Sequence, residues 1–153
     1  MQLVVSPLEL DMTVKVVIAG FFGMLIGLER QGGATGAGLR TFSLITMGST
    51  LFTVLSVESF PAANDPMRLA ASIVTGIGFI GAGVIWRQKE EAIHGITTAA
   101  AIWVAAGIGI AVGLGYFVLS TMITLATMII LARGHVVKVA KGTFKKELIG
   151  IES

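Results

Sequence analysis

From Gly95 to Ala132 the chain carries no charged residue. At about 1.5 Å per residue, a single helix of that length would reach roughly 57 Å, nearly twice the roughly 30 Å hydrocarbon thickness of a bilayer. The stretch is too apolar for a solvated helix and too long for one crossing, so it must fold back once. Gly113-Leu114-Gly115 is the natural bend, because glycine accepts the backbone of a tight turn. Tyr116 and Phe117 beside it suit the interfacial position that aromatic side chains favour. Two antiparallel spans near 96–112 and 114–132 follow.

The rest of the chain fits the same environment. It is 54% hydrophobic and only 13% charged, against roughly a quarter charged in an ordinary soluble domain. Three further apolar segments near 12–28, 41–57 and 69–86 approach the length of about 20 residues that a crossing needs. The fold class expected is an all-α membrane protein, a bundle of about five transmembrane helices over residues 1–132, followed by a short basic tail over 133–153. The first span is the weakest, because Glu9 and Asp11 precede it and Lys15 lies within it and must snorkel outward. No Lys or Arg stands before it, so it lacks the positive flank of a cleaved signal peptide.

Positive charge then orients the bundle. Arg30 and Arg40 flank the first loop, Arg87 and Lys89 lie in the third, and Arg133, Lys138, Lys141, Lys145 and Lys146 follow the last span. The opposite side holds only Lys15 and Arg68. By the positive-inside rule the N-terminus is outside and the C-terminus cytoplasmic. The tail, with Val136, Phe144, Leu148 and Ile149 among its lysines, is expected to rest on anionic lipid or to open a cytoplasmic domain too short to be complete here.

Gly76-Ile77-Gly78-Phe79-Ile80-Gly81 spells G-x-G-x-x-G, the dinucleotide fingerprint. That pattern has chemical meaning only between a strand and a helix N-terminus; here it sits inside an apolar segment that continues through Val84-Ile85-Trp86 to Arg87. Helices in lipid associate by close approach at small residues, and this is the role the glycines suggest. Gly23 and Gly27 follow Ala19 at intervals of four, and Gly109 and Gly113 follow Ala101 and Ala105. Gly76, Gly78, Gly81 and Gly83 make the third span thinnest of all, which predicts a central place in the bundle. Passage of an ion or solute along that face is the alternative.

Ionisable groups near membrane depth are costly and are usually paired or functional. Glu29 and Arg30 close the first span, Arg40 and Thr41 open the second, and Glu29 can pair with Arg40 across the two helix ends. Asp65 is placed to cap a helix begun by Pro66, and Arg68 calls for a partner such as Asp65 or Glu58. Thr97 and Thr98 start the fourth span, where a hydroxyl bonds back to the preceding turn or across to another helix. Trp86 reads as an interfacial anchor, and Trp103, near mid-span, as a filler of the bundle. There is no cysteine, and His94 and His135 stand alone. Disulfides and thiolate metal sites are excluded, and no metal set, cofactor, catalytic group or nucleic-acid partner is expected.

Several segments together resemble the MgtC/SapB family of bacterial membrane proteins. They are Gly27-Leu28-Glu29-Arg30-Gln31, Ala37-Gly38-Leu39-Arg40-Thr41, Asp65-Pro66-Met67-Arg68, Gly76 through Gly83, and Gly95-Ile96-Thr97-Thr98-Ala99-Ala100, in that order. The resemblance runs from about Met12 to Ala132. It implies a multi-pass protein of the bacterial inner membrane, linked to magnesium limitation, to virulence in some pathogens, and in the best-known case to inhibition of the membrane ATP synthase. It implies regulation rather than carriage of the ion, with Glu29, Arg30, Arg40, Thr41, Asp65, Arg68, Thr97 and Thr98 as the functional polar positions. Two departures stand out: Ser72 replaces a longer amide, and the cytoplasmic C-terminal domain of the virulence-linked members is not expected here. The expected function is therefore non-enzymatic regulation through a membrane protein partner such as ATP synthase. The alternative is a small-cation or solute carrier. Under either, the bilayer is the first partner and a homo-oligomer is expected, a dimer before larger forms.

Overall fold

A computed structural model describes residues 6–31, 36–59, 66–87 and 92–132. Five helices account for most of them. Helix α1 spans Pro7–Glu29, α2 Leu39–Ser59, α3 Pro66–Gly83, α4 Ile96–Gly113 and α5 Phe117–Ala132. Helices α1, α2 and α4 are long and apolar enough to cross a membrane, whereas the apolar runs of α3 and α5 are shorter.

Helix α1 begins earlier than hydropathy suggests, and its cap explains why. Ser6 Oγ accepts from the Glu9 amide at 3.1 Å while Glu9 Oε2 accepts from the Ser6 amide at 2.9 Å, with Pro7 at the first helical position. This reciprocal box satisfies amides that lie beyond the reach of the helix's own carbonyls. One turn on, Lys15 meets Asp11 at 2.6 Å, so the charged residues join the helix rather than precede it. Below them the helix has two faces: Ala19, Gly20, Gly23, Ile26 and Gly27 are buried, while Val17, Phe21, Met24 and Leu28 are exposed.

The bundle is built around α2 and α4. Ala101, Ile102, Ala105, Ala106, Ile108, Gly109, Val112 and Gly113 of α4 are buried, and α2 packs against both α1 and α4. Trp103 points the other way and is 55% exposed, so it does not fill the bundle as expected. Two residues after Ala101, at about 100° per residue, it lies across the helix from the small-residue stripe.

Helix α3 is not central. Phe79 is 86% exposed, Ile77 is buried, and α3 leans mainly on α4. Nor does it run on to Arg87. It ends at Gly83, and Trp86–Arg87 instead pair antiparallel with Ile93–His94 as a two-stranded ribbon, β1 and β2. The Trp86 ring stacks on His94 with centroids 5.6 Å apart, so the residue expected as a lone interfacial anchor is half of a cross-strand pair. The ribbon leads into α4 through Gly95, whose φ of 91° and close approach to the Val84 and Ile85 backbone leave no room for a side chain.

The fold-back is where charge and length placed it. Helix α4 ends at Gly113, the Tyr116 amide donates to the Ala111 carbonyl at 2.8 Å, the Gly115 amide to Val112 at 2.9 Å, and Gly115 has φ 84°. These are the two bonds and the left-handed residue of a Schellman cap.

Candidate functional site

Among the described residues, buried polar side chains gather in two places, apart from Ser120 and Thr124 on α5, whose hydroxyls donate to the Tyr116 and Ser120 carbonyls within that helix. The first is the end of the bundle where α1 stops and α2 and α4 begin. Arg30, just past the last turn of α1, sends its guanidinium to the hydroxyl oxygen of Thr98 in the first turn of α4. Thr98 is fully buried. Gly95 caps α4 with no side-chain hydrogen bond, so a cation would be disfavoured there by the helix dipole. Arg30 Nε is also buried and has no hydrogen-bond partner among the described residues.

The α1–α2 hairpin is pressed shut beside this contact. Gly27 faces the backbone of Leu39, where a methyl would come within 2.8 Å of the Leu39 nitrogen, and Gly23 faces the Phe42 carbonyl and Thr46 hydroxyl. Closing the hairpin sets Arg30, Gln31, Gly36, Gly38, Leu39, Arg40 and Thr41 around a cavity of about 400 Å³. Arg40 is exposed, Thr41 partly so, and Glu29 is half-buried at the end of α1 without lining the cavity.

The second place was not singled out from the sequence. Thr46, Ser49, Thr50 and Thr53 are all buried on one face of α2. Thr46 Oγ1 donates to the Ser43 carbonyl at 2.9 Å and Thr53 Oγ1 to the Ser49 carbonyl at 2.7 Å. Thr50 Oγ1 instead crosses to α4 and donates to the Gly109 carbonyl at 2.7 Å. Gly109 and Gly113 of α4 sit on this ladder, and methyls added there would meet the Thr46 carbonyl oxygen at 2.5 Å and Thr53 Cβ at 2.6 Å. The signal was a run of hydroxyls at positions 46, 50 and 53 in an apolar span, a helical spacing that matches one face.

The other expected residues lie apart from both places. Thr97 is exposed, one position from buried Thr98. Arg68 is exposed at the far end of α3, its carbonyl accepting from Ser72 Oγ at 3.0 Å, and Asp65 lies outside the described residues. On α3, Gly76, Gly78 and Gly83 have nothing within 4 Å of an added methyl, and Gly81 only Ala99 at 3.7 Å. Within one chain Gly76, Gly78 and Gly83 are therefore not packing contacts, whereas buried Gly81 packs against Ala99 of α4. Among the described residues, no three His, Cys, Asp or Glu side chains converge as a metal site would require.

Comparison with known proteins places this arrangement. The sequence model of the MgtC family matches residues 16–139. The chain is 43% identical over 100 residues to SapB of Bacillus subtilis, covering 61% of this chain and 43% of that protein. It is 44% identical over 101 residues to YhiD of Escherichia coli K12, named as a candidate magnesium transporter, covering 61% and 46%. It is 44% identical over 89 residues to MgtC of Salmonella typhimurium LT2, covering 58% and 37%. The chain thus matches less than half the length of each of these relatives. No solved structure matches it significantly.

Proposed function

The chain belongs to the MgtC family, and on that premise we propose that this membrane protein is a non-enzymatic regulator of the bacterial inner membrane. It acts on magnesium homeostasis and membrane energetics by packing against a protein partner, for which the membrane ATP synthase is the candidate. Its N-terminus is outside and its C-terminus cytoplasmic, residues 1–132 form the membrane domain, and the basic tail over 133–153 lies on the cytoplasmic side.

The observation that carries this reading is the chemistry of the interior. A hydrated dication prefers several oxygen ligands that include carboxylates. The α2 ladder instead offers neutral hydroxyls that donate to backbone carbonyls, and among the described residues Arg30 brings a cation, not a carboxylate, to buried Thr98. A path lined this way disfavours a divalent cation. The exposed, glycine-rich face of α3 supports a homo-oligomer, since small residues permit close helix approach in lipid.

A small-cation carrier is the second reading, favoured by the name given to YhiD. It would place the pathway between subunits rather than within one. Purified protein in liposomes separates the two. The regulator reading expects no magnesium or proton flux above empty vesicles, and co-purification of a membrane complex from cells starved of magnesium. Flux that disappears on Arg68→Ala would overturn it.

A further inference from the structure

Two cavities that share a wall point to an occupant with a charged head and an apolar tail. The basic cavity at the hairpin is lined by Arg30, Arg40 and Thr41 at the start of α2. Arg40 and Thr41 also form one end of a larger groove of about 670 Å³ between α2 and α3, which continues past Leu44, Gly48 and Phe52 on one side and Gly76 and Ile80 on the other. From Arg40 to Phe52 that groove runs about 18 Å along the helix, close to the roughly 15 Å of one leaflet of a 30 Å hydrocarbon core. Its lining is apolar apart from Arg40 and Thr41 at the end and the two serines Ser49 and Ser72. Methyls added at Gly48 or Gly76 meet nothing within 4 Å, so the groove is open where those glycines face it.

We infer that this composite cleft binds an anionic phospholipid, its headgroup phosphate held by Arg30 and Arg40 and one acyl chain laid between α2 and α3. The position of the charges selects this occupant. Two guanidiniums beside the N-terminus of α2 favour a phosphate electrostatically and by hydrogen bonding, and Glu29 does not line the cavity to oppose it. Arg30 lines the same cavity from the end of α1. A zwitterionic lipid offers the same phosphate but brings an ammonium group beside the guanidiniums, which repels them and weakens its hold. A free phosphate would use the basic cavity and leave the groove to other lipid. On the orientation the positive charges predict, the cleft opens into the cytoplasmic leaflet, where basic pockets between helices recognise anionic headgroups. This inference is independent of whether the protein regulates or carries.

Native mass spectrometry of the full chain, released from detergent with equimolar phosphatidylglycerol and phosphatidylcholine of matched acyl chains, tests it. The unsubstituted protein should retain phosphatidylglycerol about fivefold over phosphatidylcholine, the equivalent of about 1 kcal/mol for one basic contact at an anionic headgroup. Arg40→Gln should remove most of that preference and leave what Arg30 alone supplies, and Arg40→Lys should keep most of it. Gly48→Phe and Gly76→Phe, which fill the groove without touching either arginine, should cut retention of both lipids. Equal retention by the unsubstituted protein overturns the proposal. So does competition by inorganic phosphate with no effect of the two phenylalanines, which marks a small-anion pocket, or loss of a dimer in the phenylalanine variants with lipid retention unchanged, which gives the groove to a second copy.

Discussion

Helices α3 and α4 are both small-residue helices of 18 residues, yet they end in opposite environments. On α4, Gly109 lies against the Thr46 carbonyl and Gly113 against the Thr53 side chain, while Gly107 faces open space. On α3, Gly76, Gly78 and Gly83 face open space, and Phe79 beside them is 86% exposed. A stripe of small residues lets another helix approach closely but does not bring one there. What α4 meets on α2 is the buried face of Thr46, Ser49, Thr50 and Thr53, on which the three threonine hydroxyls are hydrogen-bonded and that of Thr50 crosses to Gly109. Helix α3 faces the α2–α3 groove instead.

The contrast can be broken most directly by adding bulk. Gly109→Leu should destabilise the protein by about 3 kcal/mol or more, since the new side chain would have to displace the α2 backbone, beyond the usual 1–3 kcal/mol of overpacking. Gly76→Leu should change the midpoint of thermal unfolding in detergent little. Equal losses in the two variants would mean that α3 is packed as tightly as α4.

Arg30 and Thr98 should show a coupling of about 1 kcal/mol in a cycle of Arg30→Ala and Thr98→Val, the lower end for a charge-assisted bond because Arg30 is only part-buried. Chemical unfolding in mixed micelles can resolve it. Additive effects would remove the Arg30 contact as a lock between α1 and α4. Thr50→Val, which keeps shape and deletes the bond to Gly109, should cost about 0.6 kcal/mol, in line with interhelical hydrogen bonds in membranes. The same substitution at Thr75, whose hydroxyl bonds back to Ala71 within α3, should cost less.

One further small effect has the opposite sign. Gly78→Ala on α3 should stabilise by about 0.5–1 kcal/mol, the ordinary gain from removing a helical glycine that has no contact to lose. Gly113→Ala should destabilise, because its methyl would fall 2.6 Å from Thr53 Cβ. If both alanines act alike, glycine position carries no information about packing in this bundle.

Much of this protein is legible in one dimension because lipid imposes simple rules. A charge-free stretch longer than a bilayer must bend, and it bends at Gly113–Gly115 where glycine allows the left-handed cap. Spacing of four in α1 and α4 marks faces that can be approached, and the family resemblance rests on segments read in order. Other features resist such reading for physical reasons. The capping box that starts α1 at Pro7 is polar, so hydropathy misses it. The ribbon pairing Trp86 with His94 interrupts an apolar run that composition alone continues.

The sequence by itself determined that the chain lives in a membrane, that its helices are thin enough to pack closely, and where the longest apolar stretch turns, because each follows from transfer energies and local backbone sterics. The tertiary structure decided which thin faces are used, that Arg30 reaches Thr98 across 68 positions, and that Arg40 ends both the basic cavity and the apolar groove. Those outcomes depend on which surfaces complement one another in space, and no local pattern along the chain contains its partner's shape.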